Sequence, residues 1–178
     1  IARPFTGTPG KYKFLHTSRK DFAVKPPVKS VLDHLVEESY NVIGIGKIND
    51  IFNGQGITDA HKSKSSVHGM EQTIDLAKTD FHGLVFTNLV DFDMLYGHRN
   101  NIEGYAKALE EFDKKLPEIM QALRDDDILI LTADHGNDPS TPSTDHSREY
   151  IPIVAYGRNI KSNVNLGTRD TFADISAT

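Results

Sequence analysis

The sequence predicts an α/β fold built on a mostly parallel sheet, and three observations carry the prediction. Short β-branched runs near 41–46, 84–90, 128–132 and 151–156 are apolar on both faces, as strands of a sheet covered on both sides are. Stretches with apolar residues at three-to-four spacing alternate with them, the order expected of helices that cross over between parallel strands. The residues able to carry chemistry fall just past the carboxyl ends of those strands, where ligands gather in such sheets.

Taken in order, residues 1 to about 27 are rich in Pro, Gly, Lys and aromatic residues and keep no period, so an irregular or extended segment is expected. From Lys29 the pattern changes. Val31, Leu32, Leu35 and Val36 share one helical face, and Asn41–Gly46 then reads as a glycine-bounded buried strand. A second helix is expected near Val67 to Ala77, followed by the strand Leu84–Val90. The longest helix places Ile102, Tyr105, Leu109, Phe112, Leu116, Ile119 and Leu123 at helical spacing, with Pro117 expected to kink or divide it. The strand Ile128–Thr132 is expected to be the third of the core, and Ile151–Tyr156, just before Gly157, is the last.

Composition narrows the function. With 178 residues and 38% hydrophobic content the chain can bury a sizeable core, and one globular domain is the default. The balance of 20 Lys and Arg against 25 Asp and Glu gives a net charge of −5, which disfavours a nucleic-acid or anionic-membrane surface but leaves small anionic substrates open. No cysteine is present, so disulfides and thiolate metal sites are excluded; His and carboxylate remain, ligands suited to hard or borderline divalent ions. A soluble, cytosolic protein is expected, since no apolar run approaches the length of a membrane span and no basic-then-apolar leader opens the chain. Residue 1 is Ile, and the spacing of Phe172–Thr178 looks like a helix cut short, so a fragment of a longer protein is expected.

Two clusters stand at strand ends. Asp91, Asp93 and His98 follow the strand that ends at Val90. Asp134 and His135 follow Thr132, with His146 and Arg148 beyond them. Carboxylate oxygen and imidazole nitrogen together suit Mn²⁺, Zn²⁺ or Fe²⁺, and two such clusters can hold two ions about 3.5–4 Å apart for phosphoryl transfer. Each residue has a blander role open to it. Asp93 can cap a helix, Asp134 can close an Asx turn before Gly136, and a lone histidine is most often a surface or core residue. Three of the eight histidines beside acidic residues in adjacent strand-end loops are harder to explain by capping. His16, His34, His61, His68 and His82 lack such a setting and are expected to be structural or solvated, and Arg99 is expected to face solvent or an acidic neighbour.

The motifs Asp93 with Gly97-His98, Thr132-Ala133-Asp134-His135-Gly136-Asn137-Asp138-Pro139 and Thr144-Asp145-His146-Ser147-Arg148-Glu149 resemble the metal signatures of the phosphopentomutase family of the alkaline phosphatase superfamily. The resemblance extends to Ile1-Ala2-Arg3-Pro4-Phe5, Lys25-Pro26-Pro27, Gly46-Lys47-Ile48, Gly54-Gln55-Gly56-Ile57 and Asn165-Leu166-Gly167-Thr168-Arg169, and so covers essentially the whole chain. It implies an alkaline-phosphatase-like three-layer α/β/α core, present in part. Residues 1–24 would be the end of an inserted cap domain and its return crossing, and 25–178 the carboxy-terminal part of the core.

The resemblance also implies that Asp93, His98 and His146 bind one Mn²⁺ while Asp134 and His135 bind the other; Asp91 stays outside. The nucleophilic threonine, and an aspartate that completes the second ion's ligands, would lie in an amino-terminal half absent from these residues. The implied reaction interconverts ribose or deoxyribose 1-phosphate with the 5-phosphate through a phosphothreonine enzyme, primed by a bisphosphate such as glucose 1,6-bisphosphate. Lys47, at a strand end, is a candidate donor to a substrate phosphate, although a solvated lysine opening a helix is an equal reading; Arg3 and Arg148 are further candidates. A related phosphoglycerate mutase or phosphohydrolase shares the metal scaffold. An inactive metal-binding fragment is the third alternative, and it predicts metal binding without turnover.

Overall fold

A computed structural model describes residues 2–20 and 22–177, and for His16 the backbone alone. Its centre is a three-stranded parallel sheet in which β3 (Asn41–Ile45) lies between β4 (Asp59–His61) and β5 (Gly83–Thr87). The register pairs Ile43 with Asp59 on one side and with Val85 on the other. β3 is the most deeply buried element: Val42 and Ile45 are fully enclosed and Ile43 nearly so. Burial of each such side chain contributes about 1.5–3 kcal/mol, which explains why an apolar run with no polar face becomes the central strand.

Helices α1 (Val31–Glu37), the short α2 (Ile48–Ile51) and α3 (Ser66–Ala77) pack against β3. α4 (Ile102–Ala122) packs on α3. Met70 and Ile74 of α3 meet Ile119 of α4, with Phe112, Leu89 and Leu129 closing the cluster. Pro117 is accommodated inside α4, which runs unbroken for 21 residues, so the expected division does not occur. Asn101 caps that helix by accepting the amide of Gly104 at 2.9 Å, and Ser65 caps α3 by accepting that of His68 at 3.1 Å.

At the start of α1, the Asp33 carboxylate accepts the Ser30 amide at 2.7 Å and the Ser30 hydroxyl at 2.9 Å. Chiefly through the backbone bond from Ser30, the Asp33 pKa is held below the ordinary carboxylate range. A carboxyl whose folded pKa is depressed contributes stability above its unfolded pKa and loses it as pH falls through the folded one. Acidification below about pH 4, the ordinary aspartate value, is therefore expected to weaken the start of α1, with no change from this group above it. Hydrogen exchange at the amides of 31–36 checks this, and Asp33→Asn should remove that part of the acid dependence while leaving the part carried by the Glu37–Lys29 pair at the other end of the helix.

Two differences from the sequence reading have physical causes. The strand after α4, β6 (Leu129–Thr132), does not join the parallel sheet. It pairs antiparallel with β7 (Ile153–Tyr156), Thr132 opposite Ile153. The connecting stretch 133–152 contains no helix to carry a parallel crossover, so the chain returns on the neighbouring track. The segment expected to be irregular or extended contains two short extended pieces that the sequence did not place, β1 (Phe5–Thr6) and β2 (Lys13–Phe14), an antiparallel pair closed by an edge-on contact of Phe5 with Tyr12 at 5.1 Å. Strands of two residues are too short to leave a period.

Among the described residues, no helix is long and apolar enough to cross a membrane.

Candidate metal centre

Past the end of β5 the chain runs through a π-helical turn, Phe92–Tyr96, and a 3-10 turn, Gly97–Arg99. Past β6 it makes the long excursion back to β7. An isolated antiparallel bridge closes that excursion on itself, and an asparagine joins it to the first loop. Gly136 pairs with Ser147, the Ser147 amide donating to the Gly136 carbonyl at 3.2 Å. A Cβ on Gly136 would stand 2.6 Å from the Ser147 carbonyl oxygen, so the close approach requires glycine. In such a bridge the residues just before each partner lie on the same face. This is why His135 and His146, eleven positions apart, stack with ring centroids at 3.6 Å.

The focus of the site is one oxygen. Oδ1 of Asp93 lies 3.2 Å from Nε2 of His98 and 3.2 Å from Nε2 of His146, and it accepts a hydrogen bond from Nδ2 of Asn137 at 2.6 Å. The His98 and His146 rings stack at 4.9 Å. Ligand atoms of Asp93, His135 and His146 all fall within 4.8 Å of one another. Asp134 lies at the edge of the group, two-thirds exposed, its Oδ1 3.7 Å from Nε2 of His135.

Hydrogen bonds on the far side of two rings fix their tautomers. Nδ1 of His98 is 2.6 Å from the Thr144 carbonyl, and Nδ1 of His135 is 3.1 Å from the Gly136 carbonyl. A carbonyl only accepts, so each Nδ1 carries a proton, which leaves Nε2 as the ring nitrogen turned inward and able to ligate. For His98 that nitrogen faces the Asp93 carboxylate at 3.2 Å, close enough for both to ligate one cation. Convergent imidazole and carboxylate acceptors, with backbone carbonyls behind the rings, are the donor set and outer shell of a borderline divalent metal site. The residues present therefore fit such an ion.

The four convergent residues, Asp93, His98, His135 and His146, were all legible in the sequence. The two ligand sets expected from the resemblance are not separate in space, because His135 stacks directly on His146. Asp91 takes a different role: its carboxylate accepts the Ser66 amide at 2.6 Å at the start of α3. Lys47 is half buried at the end of β3 with Nζ 3.3 Å from Sδ of Met94, one residue from Asp93. Arg3 and Arg148 are exposed. The remaining histidines have local partners: His61 with Asp59, His34 with Glu37, His68 with the Lys64 amide and His82 against Tyr40. Arg99 is exposed and donates to the His98 carbonyl. The side chain of His16 lies outside the described residues, as do Ile1 and Thr178.

The asparagines were missed. Asn137 stood within a quoted motif without a role, and Asn100 had no signal beyond its tolerance of a left-handed backbone, which it adopts at φ 49°.

The family model of the Metalloenzyme superfamily matches residues 17–178. The chain is 60% identical over its whole length to the phosphopentomutase of Carboxydothermus hydrogenoformans and 57% identical to that of Acetivibrio thermocellus; it spans 46% of each, about half the length of these curated relatives. Among solved structures, Leishmania mexicana phosphoglycerate mutase, determined at low cobalt concentration, superposes with a TM-score of 0.59 and 19% identity. That match covers 74% of this chain and 32% of the mutase. The shared fold is the alkaline-phosphatase-like α/β architecture with a parallel sheet. Matched by the family model over nearly its full length, the chain belongs to the metalloenzyme superfamily.

Proposed function

We propose that this chain is the metal-binding carboxy-terminal half of a phosphopentomutase that interconverts ribose or deoxyribose 1-phosphate with the corresponding 5-phosphate. One observation carries the reading: Asp93, His98, His135 and His146 converge from two loops, in a chain 60% identical throughout to a phosphopentomutase. Asp93, His98 and His146 would hold one divalent ion, and Asp134 and His135 the other, with Mn²⁺ as the metal. Stacking of His135 on His146 suits two ions only about 3.5–4 Å apart. Bound there, the ions supply charge neutralisation to a transferring phosphoryl group.

The chain's own residues position and protect. The Thr144 and Gly136 carbonyls hold His98 and His135 in the tautomer that turns Nε2 inward. Lys47, held beside Met94 close to Asp93 in sequence, would donate to a substrate phosphate, and Arg148, two residues past His146, and Arg3 would be secondary donors. The nucleophilic threonine and the aspartate completing the second ion's ligands would lie in an amino-terminal half outside these residues. Residues 1–24, with their separate hairpin, are the end of a cap domain and its return, and 25–178 belong to the core. A glucose 1,6-bisphosphate-type activator primes the threonine, and a cysteine-free chain suits the cytosol.

The test is an assay of the full-length protein on ribose 5-phosphate with Mn²⁺ and glucose 1,6-bisphosphate, following ribose 1-phosphate and free phosphate together. Ribose 1-phosphate without phosphate release is the expected result. Phosphate alone would move the reading to a phosphohydrolase. Conversion of phosphoglycerate instead would move it to a phosphoglycerate mutase, and no product from either substrate would leave an inactive metal-binding protein.

A further inference from the structure

Between the two loops that carry the metal-centre residues, two asparagine side chains reach across in opposite directions. From the loop after β6, Asn137 donates to Oδ1 of Asp93 at 2.6 Å, across 44 residues of sequence. From the loop after β5, the Asn100 amide nitrogen lies 2.7 Å from the Thr141 carbonyl, 3.0 Å from that of Ser143 and 3.2 Å from that of Pro139. Its two N–H groups are thus shared among three carbonyls of one turn. That turn leads directly into Thr144, whose carbonyl orients His98, and then into His146.

The geometry points to Asn100 and Asn137 as a reciprocal latch, two positioning residues that hold the loops in register so that Asp93, His98 and His146 are assembled before an ion arrives. The inference rests on the proposed metal centre. Each asparagine does something a generic polar residue cannot. Asn137 presents a donor to a carboxylate whose other neighbours are imidazole nitrogens, fixing which oxygen turns inward. Its side chain fits against Gly97, where a Cβ would stand 2.2 Å away. Asn100 adopts the left-handed conformation at φ 49° while its amide faces three acceptors; aspartate would tolerate the backbone but turn a carboxylate toward those carbonyls.

Outer-shell partners of this kind typically change metal affinity roughly 10–100-fold. The test uses the full-length protein and reads Mn²⁺ affinity by calorimetry, with the visible spectrum of the Co²⁺-loaded protein as a signature of ligand geometry. Asn100→Gly keeps the left-handed backbone and removes only the amide, and Asn100→Asp keeps the shape and reverses the polarity. Asn137→Ala removes the donor to Asp93.

All three variants are expected to bind Mn²⁺ about 10-fold or more weakly and to alter the Co²⁺ spectrum, with Asn100→Asp the most severe. Unchanged affinity and spectrum in the Asn100 variants and Asn137→Ala would overturn the latch. Asp93→Ala, measured beside them, separates this failure from that of the site: if it too leaves binding intact, the metal centre itself is misassigned. If either asparagine variant fails to fold, the one at the other position decides alone, because each closes the latch from its own loop.

Discussion

Asp93→Ala is expected to lower Mn²⁺ affinity by at least about 100-fold, since loss of outer-shell partners alone already costs roughly 10–100-fold. The magnitude follows from how much converges on one atom. Oδ1 of Asp93 has His98 and His146 nitrogens at 3.2 Å and the Asn137 amide at 2.6 Å. Truncation removes an anionic ligand and leaves two imidazoles and an amide without their common partner. Asp93→Asn keeps the shape but removes the charge, and it places an NH₂ or a neutral oxygen against Asn137, so an intermediate loss is expected.

Titration calorimetry on the full-length protein checks both variants, with ribose 5-phosphate turnover as a second readout. The metal-free melting temperature should change little. Asp93 lies in a turn at the rim of the sheet, and its side chain is about one-third exposed. A large stability loss with unchanged metal affinity would mean that Asp93 serves the fold instead of an ion.

How much of this was legible in the sequence depends on whether a residue's partner is local. β3 was readable because Val42, Ile43 and Ile45 are apolar on successive positions, and only a strand buried on both faces accommodates that. The helices were readable by period. β4 was not, since Asp59, Ala60 and His61 have no apolar signal and form a strand only because the edge of β3 offers them hydrogen bonds. β6 was readable as a strand, but its partner was not, because a strand's pattern encodes burial and leaves its neighbour open.

The same rule governs the site. His98, His135 and His146 declared themselves by chemical type and by their place after strand ends. Asn100 and Asn137 act only through contacts spanning tens of residues, and an asparagine in a loop carries no sign of what it will touch.

Replacing Gly46 by alanine is expected to destabilise the protein by about 3 kcal/mol, of which roughly 1–2 kcal/mol is the penalty for a side chain in the left-handed region. Gly46 has φ +79°, and an added Cβ would stand 2.4 Å from the Asn88 carbonyl oxygen, a backbone atom that cannot swing aside as a flexible side chain does. Gly10 has the same φ of +79° with nothing within 4 Å of the added Cβ, so Gly10→Ala carries the conformational penalty alone. For a chain of this size a 3 kcal/mol loss lowers Tm by about 6–12 °C, and Gly10→Ala, with its penalty of roughly 1–2 kcal/mol, should lower it by about one- to two-thirds as much.

Thermal unfolding of the two variants side by side separates strain from collision. Equal shifts would show that the Asn88 carbonyl yields and that the close approach of the β3 and β5 ends is not limiting. A larger shift for Gly46→Ala has a functional corollary. Gly46 joins β3 to Lys47, and Asn88 begins the stretch that leads to Asp93, so forcing the two apart would also part Nζ of Lys47 from Met94. On the proposed pentomutase function, ribose 5-phosphate KM should then rise in the full-length protein while Mn²⁺ affinity is unchanged, because the ligand-bearing atoms of Asp93, His98 and His146 are held to one another by the other loop.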